Sequence, residues 1–286
     1  MPIEQLSDLA AVRGSHAVLY HGMIDHDAPR VLYEHLRRLG RVPRLDLVIA
    51  TNGGTAAAAR RLALLLHEYT DRLTVLVPHR ARSAGTLLCL GAHELVLGPL
   101  AELSPLDPQI GSGAAPRPGE PAVLSAEDVR AFRDVGEQWF GVVRDEDRLS
   151  LFGLLAQRVF PASLGAFYRA DRLVREMAHE LLRYQLPDAG RDERDVIVDR
   201  LVGGFHAHDY AITRAQAEDL GLRVRYADTQ EEALLWTVLR QCDTQLEVEP
   251  DGRRVVTLVA GEDFLARRVQ VPASSGAGPD LRWRMG

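Results

Sequence analysis

Apolar residues follow two alternating patterns along this chain: short continuous runs and longer segments with helical spacing. The runs at residues 45–50 and 73–78 have strand length, and each precedes a turn and a helical segment. Two consecutive strand–turn–helix units predict parallel strands that are joined by right-handed crossovers. In such a sheet both turns lie at the carboxyl ends of the strands, where α/β proteins place their sites.

The rest of the pattern supplies the layers around this sheet. A first strand is expected near residues 15–24, and proline in the first turn marks a helix that begins after Asp27. Helical spacing or capping patterns predict further helices at 125–142, 147–160, 166–186, 192–202, 213–220 and 229–242. A short strand is expected at 222–226, and an alternating segment with a Pro-Asp-Gly turn predicts a hairpin at 245–259. Residues 111–121 are expected to form a mobile loop near the active face, and 272–286 a disordered tail.

Composition narrows the class of protein. The 286 residues can bury one substantial core, and 46% hydrophobic and 26% charged residues are ordinary for a globular protein. A net charge of −6 argues against nucleic-acid binding through phosphates. The N-terminus lacks a signal-peptide pattern, no apolar run approaches membrane-spanning length, and two cysteines make no disulfide framework. We therefore expect a cytoplasmic protein with no membrane span, and one domain over residues 1–271.

Ser83 is the candidate nucleophile. It lies between a predicted strand and a short apolar helix, where backbone N–H groups have no intrahelical partners. Ala84 and Gly85 follow it, and small residues there let a substrate backbone come close. That arrangement suits a nucleophile whose oxyanion is bound by backbone amides, and Gly53 and Gly54 offer a second set of amides. The alternative is that Ser83 only caps the helix, a position that serine favours.

The order of these motifs resembles a known family. Asn-Gly-Gly at 52–54, Ser-Ala-Gly-Thr at 83–86 and the stretch 91–109 occur in the order seen in Clp/crotonase-fold serine peptidases. More narrowly, the chain resembles the serine dehydrogenase proteinase family, relatives of signal peptide peptidase A and the Clp proteolytic subunit. The segment 208–222 is similar to that family's His-Asp-Tyr-Pro-Ile stretch and the turn after it. Asn52 departs from the family pattern, which has proline before the two glycines.

The resemblance implies a fold and an assembly. We expect a Clp/crotonase-like α/β fold of stacked β-β-α units, with a helical insertion at about 122–202 and a C-terminal helix and hairpin at about 229–260. The insertion either covers the site and builds subunit contacts, as in the family, or only packs on the core. Relatives form rings or stacked oligomers, so the resemblance implies a homo-oligomer.

The chain contains no lysine, which excludes the Ser–Lys dyad of signal peptide peptidase A. The general base must then be a histidine or, less plausibly, a carboxylate. Aligned with the Clp proteolytic subunit, Asp209 falls at the triad aspartate and Asp107 near the triad histidine. An exchange of roles restores a triad in which His208 takes the proton of Ser83 and Asp107 or Asp209 orients the imidazole. Adjacent residues of an extended chain point in opposite directions, which favours Asp107. The alternative is that His208 is a buried histidine bonded to the backbone.

These residues predict a serine peptidase that acts on a peptide or protein through an acyl-enzyme. Amides of Gly53 or Gly54 and of Ala84 bind the oxyanion, with Gly85 beside the substrate. Metal-ligand spacings and a phosphate-binding loop with lysine are absent, so we expect no metal and no cofactor. Two other functions remain open: a catalytically inactive scaffold and a crotonase-type acyl-CoA enzyme.

Overall fold

The computed structural model describes residues 3–111, 123–159, 161–246, 253–271 and 280–285. The helices in these ranges are α1 (Glu4–Arg13), α2 (Ala28–Leu39), α3 (Ala56–Glu68), α4 (Ala84–Leu90), α5 (Ala126–Phe140), α6 (Asp145–Arg158), α7 (Pro161–Gln185), α8 (Arg191–Gly203), α9 (Arg214–Asp219) and α10 (Thr229–Gln245). The strands are β1 (His16–Gly22), β2 (Val42–Ala50), β3 (Thr70–Val77), β4 (Arg80–Ala81), β5 (Glu94–Leu97), β6 (Glu102–Leu103), β7 (Gln109–Gly111), β8 (Val123–Ser125), β9 (Ile212–Thr213), β10 (Val224–Tyr226), β11 (Arg254–Ala260), β12 (Leu265–Val271) and β13 (Asp280–Met285).

An eight-stranded sheet forms the centre of the fold, in the order β10-β5-β3-β2-β1-β11-β12-β13. The five strands from β10 to β1 are parallel, whereas β11, β12 and β13 pair in antiparallel fashion. Neighbouring residues of one strand enter different cores: Leu47 belongs to the cluster beneath α2 and α3, and Val48 to the cluster beneath α1 and α10. Burial of both faces explains why β2 and β3 read as continuous apolar runs. The predicted α/β fold class is thus confirmed.

A second, three-stranded sheet lies at the carboxyl ends of β2 and β3, in the order β4-β6-β9. Its strands have two residues each, and single bridges join Thr51 to Ala81 of β4 and Ile24 to Gly54. The strand β4 ends just before Ser83, β6 is followed by the segment that contains Asp107, and β9 follows His208. The small sheet therefore brings three segments together that are far apart in sequence.

The predicted helical insertion consists of α5, α6, α7 and α8. The helix α7 packs on α3 and α4, and Arg60 Nε of α3 donates to Glu180 Oε2 of α7 at 2.5 Å. Apolar side chains on α5 and α6 remain exposed, among them Trp139, Phe140 and Leu149. In the described part of the chain no helix alone is long and apolar enough to cross a membrane, and one bent pair, Asp145–Gln157 with Ala162–Gln185, meets both criteria together.

A buried ion cluster connects two strands of the central sheet, β2 and β10, with the helices α1 and α10. Arg13 of α1 contacts Asp46 of β2 and Glu231 of α10. Arg225 of β10 donates to both carboxylate oxygens of Glu231 at 2.7 Å. Burial opposes ionisation of Glu231, but Arg225, the N–H of Asp228 and the charge of Arg13 outweigh it and lower the pKa of Glu231 to about 2.

The C-terminal region differs from the sequence prediction in two respects. The helix α10 continues to Gln245, and β11 forms its hairpin with β12 rather than with the residues before the Pro-Asp-Gly turn, of which 247–252 lie outside the described residues. Residues 280–285 form β13 where a disordered tail is expected, and Trp283 packs against the main core. Alternation of apolar residues and arginines in this short segment supplies a strand pattern. Residues 272–279 and 286, and 112–122 of the glycine-rich loop, lie outside the described residues.

Candidate active site

A cleft of about 480 Å³ opens where β2 and β3 end. It is lined by residues from six separate parts of the chain, namely Met23, Asn52, Gly54, Thr55, Ala56, Ser83, Ala84, Leu87, Leu106, Asp107, Pro108, Val174 and His208. Val174 belongs to α7, so the helical insertion contributes to the wall of the cleft. The structure thus brings His208 to the same cleft as Ser83 and Asp107, although it lies about a hundred residues or more beyond both in the sequence.

Ser83 has an unusual backbone conformation. Its φ of 49° and ψ of −113° lie outside the ordinary regions for a residue with a side chain. Within the described residues, Ser83 and His206 are the two non-glycine residues with positive φ. Such conformations cost about 1–3 kcal/mol and persist where tertiary contacts impose them, often at functional sites. The Ser83 side chain caps no amide of α4, so the structure does not support the capping role.

Buried hydroxyl groups surround the turn that carries Ser83. The N–H of Ser83 donates to Ser104 Oγ at 2.8 Å, and the N–H of Ser104 donates to Thr86 Oγ1 at 3.0 Å. Thr86 Oγ1 in turn donates to the carbonyl oxygen of Ala81 at 2.8 Å. Ser104 and Thr86 are both buried. These contacts connect β4, the start of α4 and the segment after β6.

The four candidate amides divide into two that are bonded and two that are not. The N–H of Gly53 donates to Thr51 Oγ1 at 2.9 Å, and that of Gly85 donates to the carbonyl oxygen of Arg82 at 2.7 Å. The N–H groups of Gly54 and Ala84 donate to no partner within the described part of the chain. Gly54 and Ala84 also line the cleft. The structure therefore leaves one amide from each turn available to a ligand.

Both bonded glycines are required by close packing. A Cβ on Gly53, whose φ is 108°, would lie 2.9 Å from Ser83 Cβ. A Cβ on Gly85 would lie 2.4 Å from Cγ2 of Thr51. The two turns are therefore pressed together, and the glycines after β2 and after Ser83 permit that approach.

His208 lies over Asp107. Its Nδ1 is 3.7 Å from Asp107 Oδ2, and the side chains are 37% and 4% exposed. Asp107 Oδ1 accepts from the N–H of Glu127 at 3.2 Å, which fixes the carboxylate against the start of α5. No hydrogen bond links Ser83 Oγ to His208 among the described residues, although both line the cleft.

The other candidates lie outside the cleft. Asp209 is exposed and does not line it, so the structure places Asp107 rather than Asp209 beside the imidazole. His206 is exposed, with Nδ1 3.4 Å from Glu127 Oε1. His79 lies in the strand-to-helix region before Ser83, and burial followed by the charge of Arg80 lowers its pKa. Burial raises the pKa of Cys89, as expected for a small core residue.

Residues 17–137 match the family model of the ClpP-like SDH-type serine proteinase. The predicted family resemblance is thereby confirmed. The matched region contains both turns, Ser83 and Asp107, and it ends before His208. This match supports a serine peptidase at the level of the family.

Two uncharacterized proteins of Methanocaldococcus jannaschii are similar in sequence. MJ1495 is 30% identical over 194 residues, which cover 67% of this chain and 56% of that protein. MJ0137 is 28% identical over 194 residues, which cover 67% of this chain and 58% of that protein. The chain therefore spans less than two thirds of the length of either curated relative.

Solved structures show a more distant likeness. A variant of the 1510-N membrane-bound stomatin-specific protease matches with a TM-score of 0.47 and 14% identity, over 75% of this chain and 80% of that chain. ClpP1 from Listeria monocytogenes matches with a TM-score of 0.41 and 13% identity, over 79% of this chain and 98% of that chain.

Sequence reasoning missed the hydroxyl groups that organise the family motif. Thr51, Thr86 and Ser104 are 2%, 0% and 1% exposed, and each bonds to the backbone of one of the two turns. Their sequence signal is a hydroxyl residue inside an otherwise apolar or glycine-rich stretch. No group of three or more metal-ligating side chains occurs within the described ranges.

Proposed function

We propose that the chain is a serine peptidase in which Ser83 attacks the peptide carbonyl carbon. His208 accepts the proton of Ser83, Asp107 orients the imidazole, and the N–H groups of Gly54 and Ala84 bind the oxyanion. The observation that carries the proposal is the cleft itself, which combines a strained serine, a histidine over a buried carboxylate, and two unbonded amides. The match to the family of serine proteinases supports the same reaction.

The reaction needs two steps. Ser83 Oγ forms a bond to the carbonyl carbon while its proton passes to His208, and the tetrahedral oxyanion is held by the two amides. The imidazolium then gives that proton to the leaving amine as the peptide C–N bond breaks, which leaves an acyl-enzyme. Water attacks the ester, again with His208 as base, and the carboxylic acid product leaves with Ser83 regenerated.

The orientation of His208 determines which nitrogen takes part. Since Nδ1 faces Asp107 Oδ2, Nε2 is the nitrogen left for Ser83. The contact between His208 and Asp107 is longer than a hydrogen bond, and catalytic contacts often tighten only when substrate binds.

A fluorophosphonate probe tests the proposal, because it reacts with an activated serine and leaves a mass tag. We expect labelling at Ser83 in the folded protein, loss of that label in Ser83→Ala, and strong slowing in His208→Ala. Folded protein that is not labelled at Ser83 would overturn the proposal. The absence of a Ser83–His208 hydrogen bond makes an inactive scaffold the second candidate, and that result would favour it.

The substrate and the assembly are further parts of the proposal. A cleft that accepts a peptide bond implies a peptide or protein substrate. A homo-oligomer stays a prediction that light scattering after gel filtration tests directly. A single mass near 31.6 kDa would contradict it.

A further inference from the structure

The backbone of Ser83 is held by hydroxyl groups that take no part in the proposed bond-making steps. We propose that Ser104 and Thr86 are positioning residues, which lock the backbone of Ser83 and so aim its hydroxyl into the cleft. The inference rests on the proposed function, in which Ser83 is the nucleophile.

The strained backbone of Ser83 must be held by contacts with the surrounding residues. A serine with φ of 49° and ψ of −113° relaxes to an ordinary conformation unless other contacts oppose it. The Cα–Cβ bond turns with the backbone, so relaxation also moves Oγ. A group that fixes the Ser83 backbone therefore fixes the direction of the hydroxyl.

Ser104 holds the backbone of Ser83 through a direct hydrogen bond. Its Oγ accepts the N–H of Ser83 at 2.8 Å, and it also donates to the carbonyl oxygen of Pro105 at 3.3 Å. Ser104 is 1% exposed, so its hydroxyl is shielded from bulk water and is held by the surrounding protein. Removal of this acceptor leaves the part-buried N–H of Ser83 without its partner, which favours movement of the turn.

Thr86 holds Ser104 in place. Thr86 Oγ1 accepts the N–H of Ser104 at 3.0 Å and donates to the carbonyl oxygen of Ala81 at 2.8 Å. Ala81 precedes Ser83 by two residues, and Ser104 precedes Asp107 by three. The two hydroxyls therefore connect the backbone of the nucleophile with the segment that carries the buried carboxylate.

Two variants of Thr86 separate the hydroxyl from the methyl group. Thr86→Val keeps the shape and removes the hydroxyl, whereas Thr86→Ser keeps the hydroxyl and removes the methyl. We expect Thr86→Val to speed hydrogen exchange at the Ser83 amide and to slow fluorophosphonate labelling, each by about tenfold or more. Thr86→Ser should stay close to the wild type in both measurements, and equal effects of the two variants would overturn the inference.

Ser104→Ala should give the same two effects as Thr86→Val. The matched control is Thr70→Val, which removes a buried hydroxyl whose partner among the described residues is the backbone of Arg72, at the opposite end of β3. Thr70→Val should lower the melting temperature without changing either readout at Ser83. Unchanged amide exchange in Ser104→Ala would overturn the inference, as would losses that simply follow the melting temperature. If the wild type is never labelled, the proposed function fails, while amide exchange still decides whether the two hydroxyls lock Ser83.

Discussion

The substitution Asp107→Asn isolates the charge that faces His208. In the proposed reaction the imidazole becomes positive during attack by Ser83, and the carboxylate 3.7 Å away stabilises it. Two unit charges at that distance interact by about 4 kcal/mol at an effective dielectric constant of about 20. His208 is 37% exposed, and solvent screening reduces the interaction to about 2 kcal/mol. The rate of attack should therefore fall by about 30-fold, with about 900-fold as the unscreened limit.

The assay is the second-order rate of fluorophosphonate labelling at Ser83, measured on folded protein. Asparagine retains a carbonyl oxygen that can accept the N–H of Glu127, now 3.2 Å from Asp107 Oδ1, so the fold should survive. Asp209→Asn is the matched control, because Asp209 is exposed and lies outside the cleft. Labelling of Asp107→Asn within about threefold of the wild type would refute the reasoning, as would an equal loss in the control.

Two other predictions concern stability. Gly85→Ala places a Cβ 2.4 Å from Thr51 Cγ2, so we expect a loss of about 1–3 kcal/mol in unfolding free energy together with slower labelling of Ser83. The control is Gly153→Ala, which adds a Cβ in open space on α6 and should not lower the stability. Equal melting temperatures for the two variants would contradict the predicted clash with Thr51. The second prediction concerns Glu231, whose pKa is lowered from 4.5 to about 2 beside Arg225. Its ionised carboxylate therefore contributes fully to the stability of the fold above about pH 4.5, and this contribution disappears as the pH falls towards 2. Urea unfolding should show Glu231→Gln to be about 2 kcal/mol less stable than wild type at pH 7, a value already reduced because Arg225 is half-exposed. At pH 3 the difference in stability should be less than half as large. An equal difference at both pH values would contradict the lowered pKa of Glu231.

The central sheet could be predicted from the sequence because its strands are buried on both faces. Continuous apolar runs at β2 and β3, each followed by a turn and a helix, leave few alternatives to parallel strands. The small sheet could not be predicted in this way. Strands of two residues, such as β4, β6 and β9, have no periodicity, and their pairing depends on the surrounding fold.

The sequence could predict which residues form the candidate site, but not which of their amides remain free of hydrogen bonds. The order of the motifs identified the turns at Gly53–Gly54 and at Ser83, because glycine pairs after a strand and a serine before a helix are recognisable in the sequence itself. Which amide remains free depends on Thr51, whose hydroxyl occupies the N–H of Gly53. That contact depends on a side-chain rotamer, and rotamers are selected by tertiary packing rather than by sequence spacing.

The geometry of the small sheet explains how the proposed nucleophile and the proposed base can come from distant parts of the chain. The strand β6 pairs with β4 on one side and with β9 on the other, so it stands between the Ser83 turn and the segment of His208. Both β4 and β6 lie within the region that matches the family model, whereas β9 and His208 lie beyond it. Ser83, Gly54, Ala84 and Asp107 therefore all lie in the matched region, whereas His208 belongs to the segment before β9, a strand that pairs with β6. In the proposed reaction of this lysine-free chain, the base therefore comes from the segment before β9 and needs no change in the turn that holds Ser83.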